Sequence, residues 1–326
     1  MKIFFTLLLS LFVFQVFAQQ NEKPTALSSV LINGRFYIKI PTVTGDTVLG
    51  LCDSGGGFNA IYPSVLKKLN LDSKVKTVDM DGEQLSYILF KDVAFAAIPA
   101  PQIPSTFKNH IDTPFLAVPK ENMEIKMMMK FVPHDVFLGQ FFFLGKAWTF
   151  DYKKGIISIN TPLKNNGMNI QQLGFKKDDK GTKLFGHPSM KVEIDGQVID
   201  VLFDTGASIL LSKKAQDSLQ VKDMSMGGSF IARSIFNDWR KKHPEWLFIK
   251  NGEIMGADMI QVPQVKVGNT TAGPVWFAAR PDEAWSQGMI ATMDKVVKGA
   301  VGGSLFQYYK VTIDYNAELV SFQKSK

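Results

Sequence analysis

The chain repeats itself. Gly45-Asp-Thr-Val-Leu-Gly-Leu-Cys-Asp53-Ser-Gly-Gly aligns with Gly196-Gln-Val-Ile-Asp-Val-Leu-Phe-Asp204-Thr-Gly-Ala at an offset of 151 residues. In each copy a turn glycine stands eight residues before an aspartate, and an apolar run leads into Asp-Ser/Thr-Gly. A second match lies downstream. Leu138-Gly139, Phe143, Thr149, Asp151-Tyr152 and Ser158 correspond to Val301-Gly302, Phe306, Thr312, Asp314-Tyr315 and Ser321 at an offset of 163 residues. Aspartate and later glycine are 86 residues apart in the first copy and 98 in the second. Two copies of one unit, the second enlarged by an insertion, account for both offsets, and self-similarity at fixed offset narrows the possible folds before any local pattern is weighed.

Each unit reads as β-rich. Phe36–Ile40 and Met190–Ile194 have strand character, with turn signals at Thr44-Gly45-Asp46 and Asp195-Gly196. Val75–Phe95 reads as a hairpin around Asp81-Gly82, and Phe248–Phe277 repeats that pattern around Asn251-Gly252 and Gly268-Asn269. Short helices are expected at Pro63–Leu69 and Lys213–Leu219, each following an aspartate loop. Phe230–Trp246 reads as helical and has no counterpart in the first unit, so it is the expected insertion. The stretch from Asn160 to Phe185, rich in Asn, Lys, Asp and Gly, reads as a linker. Met127-Met128-Met129 reads as packing, because adjacent side chains point in different directions.

The first residues belong to neither unit. Lys2, the apolar run Ile3–Phe17 and the small-residue site at Ala18 read as an export signal, residues 1–18, too short for a comfortable membrane span. The remaining chain is expected to be exported, periplasmic or extracellular, without a stable membrane span. The lobes are expected at 19–165 and 166–326. The single cysteine, Cys52, has no intramolecular disulfide partner and lies in an apolar stretch, so core packing is expected. The formal charge of +7 is spread over scattered basic residues, with short clusters at Lys176-Lys177 and Arg240-Lys241-Lys242 that read as solvated surface rather than a nucleic-acid patch. His110, His134, His187 and His243 are dispersed and form no paired-histidine metal motif; no Gly-x-Ser-x-Gly elbow or phosphate loop occurs. No metal or cofactor is expected, and the chain is expected to be a monomer.

Asp204-Thr-Gly-Ala-Ser208, preceded by Val-Leu-Phe, resembles the catalytic loop of the pepsin/retropepsin-like aspartic peptidases, and Asp53-Ser-Gly-Gly-Gly57 resembles its partner loop. Phe137-Leu138-Gly139 and Ala300-Val301-Gly302 are similar to the apolar-apolar-Gly segments that cross beneath those loops, and Trp148–Ile159 and Val311–Phe322 to the closing strands of the two lobes. The resemblance implies an all-β fold of two homologous β-barrel lobes of the acid-protease type, with a few short helices. It implies an endopeptidase acting on a peptide or protein substrate, with Asp53 and Asp204 as the catalytic pair.

That pairing has a physical logic. Hydrolysis of an amide by water needs one group to take a proton and another to give one. Two facing carboxyls do not readily both ionise, so one stays protonated and the pair supplies both roles, as is this family's known behaviour. Gly55 and Gly206 let backbone approach the carboxyls closely. Ser54 and Thr205 are expected, from the family pattern, to hydrogen-bond across to the opposite loop, and Ser208 to support its own. The family folds a hairpin over its substrate, and the candidate is the turn around Met80, Asp81 and Gly82, with Tyr87 beyond it. The alternative is an inactive peptide- or glycan-binding module on the same scaffold, suggested by the glycine-rich first loop and the absence of a Tyr-Gly hairpin tip.

Overall fold

A computed structural model describes residues 24–80, 82–159, 162–163 and 169–325. The expected export signal at 1–18, the boundary at 165/166 and Asp81 lie outside the described residues. The chain is mostly β-strand, with several sheets and few, short helices. An eight-stranded sheet holds, in spatial order, Ser29–Ile32, Arg35–Pro41, Thr47–Cys52, Val136–Leu138, Ala60–Ile61, Phe115–Ala117, Glu83–Leu89 and Lys76–Met80. A nine-stranded sheet holds Phe248–Ile249, Met259–Val262, Val275–Arg280, Ser229–Ala232, Gly299–Val301, Gln197–Phe203, Ser189–Ile194, Val265–Val267 and Thr270–Ala272.

The two aspartate segments are built alike. Thr47–Cys52 and Gln197–Phe203 each pair antiparallel with the preceding strand, then parallel with the strand ending in the downstream glycine: Leu51 against Phe137 and Cys52 against Leu138, Leu202 against Ala300 and Phe203 against Val301. Strands flanked on both sides must be apolar throughout near their ends, and Leu51, Cys52, Val201, Leu202 and Phe203 are all buried. Each aspartate leaves its strand with its own N–H bonded to the neighbour's carbonyl, Asp53 to Leu138 at 3.0 Å and Asp204 to Val301 at 2.9 Å.

The closing strands join in one six-stranded sheet, ordered Thr25–Leu27, Ile156–Ile159, Ala147–Asp151, Tyr309–Asp314, Leu319–Lys324 and Ile170–Gln172. Its central pair puts Thr149 opposite Thr312, the residues matched at the second sequence offset, with their hydroxyls 2.9 Å apart. One apolar core spans both halves of the chain. Aromatic rings carry it: Phe36 against Tyr152 (4.8 Å), Tyr152 against Phe306 (6.0 Å) and Phe203 against Phe306 (4.6 Å). Burial of each such ring contributes roughly 1.5–3 kcal/mol.

Three expectations need correction. Phe230–Trp246 is not one helix: Ser229–Ala232 is a buried strand between Val275–Arg280 and Gly299–Val301, and only Arg233–Lys242 is helical. An apolar triplet such as Phe230-Ile231-Ala232 carries no period that separates the two states; neighbouring strands decide it. The stretch 160–185 is only partly a linker. Ile170–Gln172 pairs with Leu319–Lys324, Gly174 bridges to Ser189, Lys177 bridges to Lys183, and Leu173 and Phe175 are buried. The hairpin is shorter than 75–95, spanning Lys76–Met80 and Glu83–Leu89 before a short helix at Phe90–Val93. The methionine triplet lies in a helix, Met123–Phe131, capped by Asn122, whose side chain accepts from the Ile125 N–H at 2.8 Å. Met128 and Met129 pack against the core. Pro63–Lys68 and Lys213–Leu219 are helices as expected, and Cys52 is fully buried.

Candidate active site

The two aspartate loops hold each other. The Ser54 N–H donates to Thr205 Oγ1 (3.0 Å) and the Thr205 N–H donates to Ser54 Oγ (3.0 Å). Each hydroxyl then donates to a strand carbonyl of the opposite half, Ser54 to Phe203 (3.0 Å) and Thr205 to Cys52 (2.9 Å). Both side chains are buried, so all four bonds are made out of water, where leaving one unmade would cost about 1–3 kcal/mol. The loops are thereby fixed against each other at the residue following each aspartate.

The carboxyls of Asp53 and Asp204 meet within hydrogen-bonding reach. Each also accepts from the N–H of its own loop glycine, Asp53 Oδ1 from Gly55 at 3.1 Å and Asp204 Oδ1 from Gly206 at 2.9 Å. The glycines are required by space. A Cβ on Gly55 would stand 2.4 Å from Asp204 Cγ, and one on Gly206 would stand 2.0 Å from Asp53 Cγ. Gly139 and Gly302 pack the crossing segments against the loops in the same way, at Gly57 and at Asp204 and Ala207.

Burial pushes the Asp53 carboxyl well above the usual carboxylate range; the charge of Asp204 and the hydrogen bond to it push further, against the pull of the Gly55 and Gly56 N–H groups. Burial also raises Asp204, but the bond from Asp53 and the N–H groups of Gly206, Ala207 and Gly55 oppose the rise. Burial raises both members of the pair, and two facing carboxyls do not readily both ionise, so the pair holds a proton jointly. A protonated and an ionised carboxyl side by side can give and take a proton in one encounter. Beneath them Tyr152 and Tyr315 are buried phenols, both kept neutral by burial and by the charge of Asp204.

Ser208 lies on the second loop. Its hydroxyl donates to the Gly206 carbonyl (2.7 Å) and accepts from Arg35 (3.1 Å), which also donates to Ser225 (2.9 Å). Thus Asp53, Ser54, Gly55, Asp204, Thr205, Gly206 and Ser208 are all brought together. The hairpin is joined only indirectly. Met80 and Glu83 face each other across a two-residue turn, with Gly82 at φ +90°. Met80 and Tyr87 pack on the apolar group of Phe107, Ile111 and Phe115, and Phe58, just after the first loop, touches Phe107 at 5.0 Å. Among the described residues no hydrogen bond runs from the hairpin to either loop.

Three contributors were not legible in advance. Arg35 is buried yet sits in an unremarkable strand start, Phe58 looked like one phenylalanine among many, and His187 read as an isolated histidine. In the structure His187 Nε2 lies 3.1 Å from the Gly56 carbonyl and Nδ1 lies 2.8 Å from Thr292 Oγ1. A surface cavity of about 530 Å³ is lined by Gln172, Lys191, Glu193, Lys266 and Lys295 and by no residue of either loop. Among the described residues there is no metal-holding cluster of His, Cys, Asp or Glu, and no helix long and apolar enough to cross a membrane. Searches against protein-family models and against curated proteins gave no match to this chain.

Proposed function

We propose that this chain is an aspartic endopeptidase of the pepsin/retropepsin type, hydrolysing a peptide bond with a water held between Asp53 and Asp204. The observation that carries the reading is the reciprocal locking of Ser54 and Thr205, which holds the two aspartate loops, and so their interacting carboxyls, against each other. The ionised carboxyl of the pair takes a proton from the water as the water oxygen attacks the carbonyl carbon. Its protonated partner gives its proton to the carbonyl oxygen; the tetrahedral adduct then collapses, one hydroxyl returning its proton to the pair, as the C–N bond breaks and the leaving amine takes up the proton drawn from the water. Holding reactants in register in this way is worth several orders of magnitude in rate.

A two-lobed architecture fits the same reading. It is supported by the like pairing of the two aspartate strands and by the facing of Thr149 and Thr312, one from each repeat. The apolar group around Phe58, Phe107 and Phe115 suits an apolar substrate side chain beside the cut. Export through the leader at residues 1–18 and action as a monomer outside the cytoplasm complete the proposal.

The test is cleavage of denatured protein and of a peptide library from about pH 3 to 7, with and without a transition-state inhibitor of the pepstatin kind. Cleavage that is blocked by inhibitor and lost in Asp53→Asn and Asp204→Asn is expected. Variants that cut as well as the wild type would refute the reading.

A further inference from the structure

Arg35 and His187 occupy corresponding places. Tyr37 pairs with Leu51, and Ser189 pairs with Leu202; each leucine lies two residues before its aspartate. Arg35 stands two residues before Tyr37 and His187 two residues before Ser189. Both are buried, at 1% and 4% exposure, and both reach over to the aspartate loop of the other half. Arg35 meets the Asp204 loop at Ser208, and His187 meets the Asp53 loop at Gly56.

From this we infer that His187 is a positioning residue for Asp53, acting through the Gly56 peptide; the inference rests on the peptidase reading above. A carbonyl only accepts, so Nε2 carries a hydrogen and donates to Gly56. The same glycine's N–H is bonded to the Asp53 carbonyl at 3.1 Å, and its Cα side lies so close that an added Cβ would stand 3.1 Å from Asp53 Cγ. The Gly56 carbonyl thus accepts from His187 and, at 3.2 Å, from the Gln140 N–H, while the glycine lies against the reacting carboxyl on its other side. Gly57 stands in this loop where Ser208 stands in the second, so no hydroxyl supports it there. His187 supplies that support from across the molecule.

The ring is itself held. The Gly186 N–H donates to Gln140 Oε1 (2.6 Å), which ties the preceding residue to the helix Gln140–Phe143. Thr292 Oγ1 faces Nδ1 and also lies 3.2 Å from the Met289 carbonyl. In the neutral ring, Nδ1 and the Met289 carbonyl compete for one hydroxyl hydrogen. In the charged ring, Nδ1–H donates to Thr292 while Thr292 donates to Met289. Burial favours the neutral ring and holds its pKa below the ordinary histidine value. The charged or titratable groups on the surrounding elements are Asp53 on the loop, Asp294 and Lys295 on the segment carrying Thr292, and Lys176. The Asp294 carboxylate lies beside Gly174 and Ser189, and the Lys176 ammonium sits on the carbonyls of Ile290 and Ala291.

The experiment is steady-state peptide cleavage by the full-length preparation and by His187→Phe, His187→Gln and Thr292→Val, each checked by thermal melt. His187→Phe is expected to lower kcat roughly 10- to 100-fold with KM little changed, as a small misplacement of a reacting group does. His187→Gln, whose amide still donates to Gly56, is expected to restore most of that loss. A folded His187→Phe with wild-type kcat would overturn the inference. Should that variant not fold, Thr292→Val takes its place: a several-fold drop in kcat that Thr292→Ser does not share supports the inference, and unchanged kcat overturns it. If Asp53→Asn cuts as well as wild type, the peptidase reading falls separately. The carbon-13 titration of the Asp53 carboxyl then still decides: it moves in His187→Phe if Gly56 couples the two groups, and stays in place if it does not.

Discussion

Gly206 lies directly against the Asp53 carboxyl, so that a Cβ there would stand 2.0 Å from Asp53 Cγ, while Gly55 faces Asp204 with a corresponding clearance of 2.4 Å. Neither glycine is at positive φ, so alanine is excluded by the opposing carboxyl and not by its own backbone. Gly206→Ala and Gly55→Ala are expected to fold with a loss of about 1–3 kcal/mol from overpacking. The displaced carboxyl should cut kcat by about 100-fold or more. Urea melts and peptide kinetics check both figures; an alanine variant with wild-type kcat would contradict the close approach.

Thr205 makes two buried bonds that valine cannot make, leaving the Ser54 N–H and the Cys52 carbonyl unpaired. Thr205→Val is expected to cost about 2–6 kcal/mol, since each of the two orphaned buried groups costs about 1–3 kcal/mol. Thr205→Ser keeps both bonds and should stay within about 1 kcal/mol of wild type. Chemical denaturation of the two variants side by side measures the difference.

The raised carboxyls of the dyad make stability depend on pH. Unfolded, both aspartates ionise near pH ~4. Folded, burial holds protons on them above that range. The native state then binds more protons than the unfolded state, and the free energy of unfolding falls as pH rises. The contribution is complete below the unfolded values and lost as pH climbs through the folded ones. Asp53→Asn removes one of the two ionisations and leaves an amide to donate to Asp204, so its melting temperature should gain on the wild type as pH rises from about 4 to 8. A gap that narrows over that range would contradict the shared proton.

Thr149 and Thr312 offer a clean double-mutant cycle, because each hydroxyl is the other's partner. Either single change to valine should cost about 1 kcal/mol or more, by stranding the other hydroxyl, whereas the double change should recover much of that loss. Additive losses in equilibrium denaturation would mean that the pair does not interact.

Cys52 is fully buried, and burial followed by the adjacent Asp53 charge pushes its thiol far up. A thiol reagent should therefore leave the native protein unlabelled and react only on unfolding. Rapid labelling under native conditions would refute the packing.

What the sequence could convey followed from repetition and period. The aspartate strands, their glycines and the terminal strands recur at fixed offsets, which made Asp53 and Asp204, and Ser54 and Thr205, equivalent; that they meet was an expectation from the resemblance of the two loops to a peptidase pair. Arg35 and His187 could be found in neither way. Their roles depend on which loop each side chain reaches across the molecule, and Arg and His share no chemistry that an alignment of the two halves would register. The split of Phe230–Trp246 into strand and helix was hidden for a related reason: Ile231 and Ala232 become strand because two neighbours flank them, which no local pattern records.

The six-stranded sheet gives the chain an unusual dependence on its own continuity. Ala147–Asp151 and Tyr309–Asp314 lie side by side at its middle, one from each repeat. Were the polypeptide severed between the repeats, each fragment would present a bare row of peptide groups with a ready mate on the other piece. Joined in one chain, the two rows satisfy each other and leave no such edge.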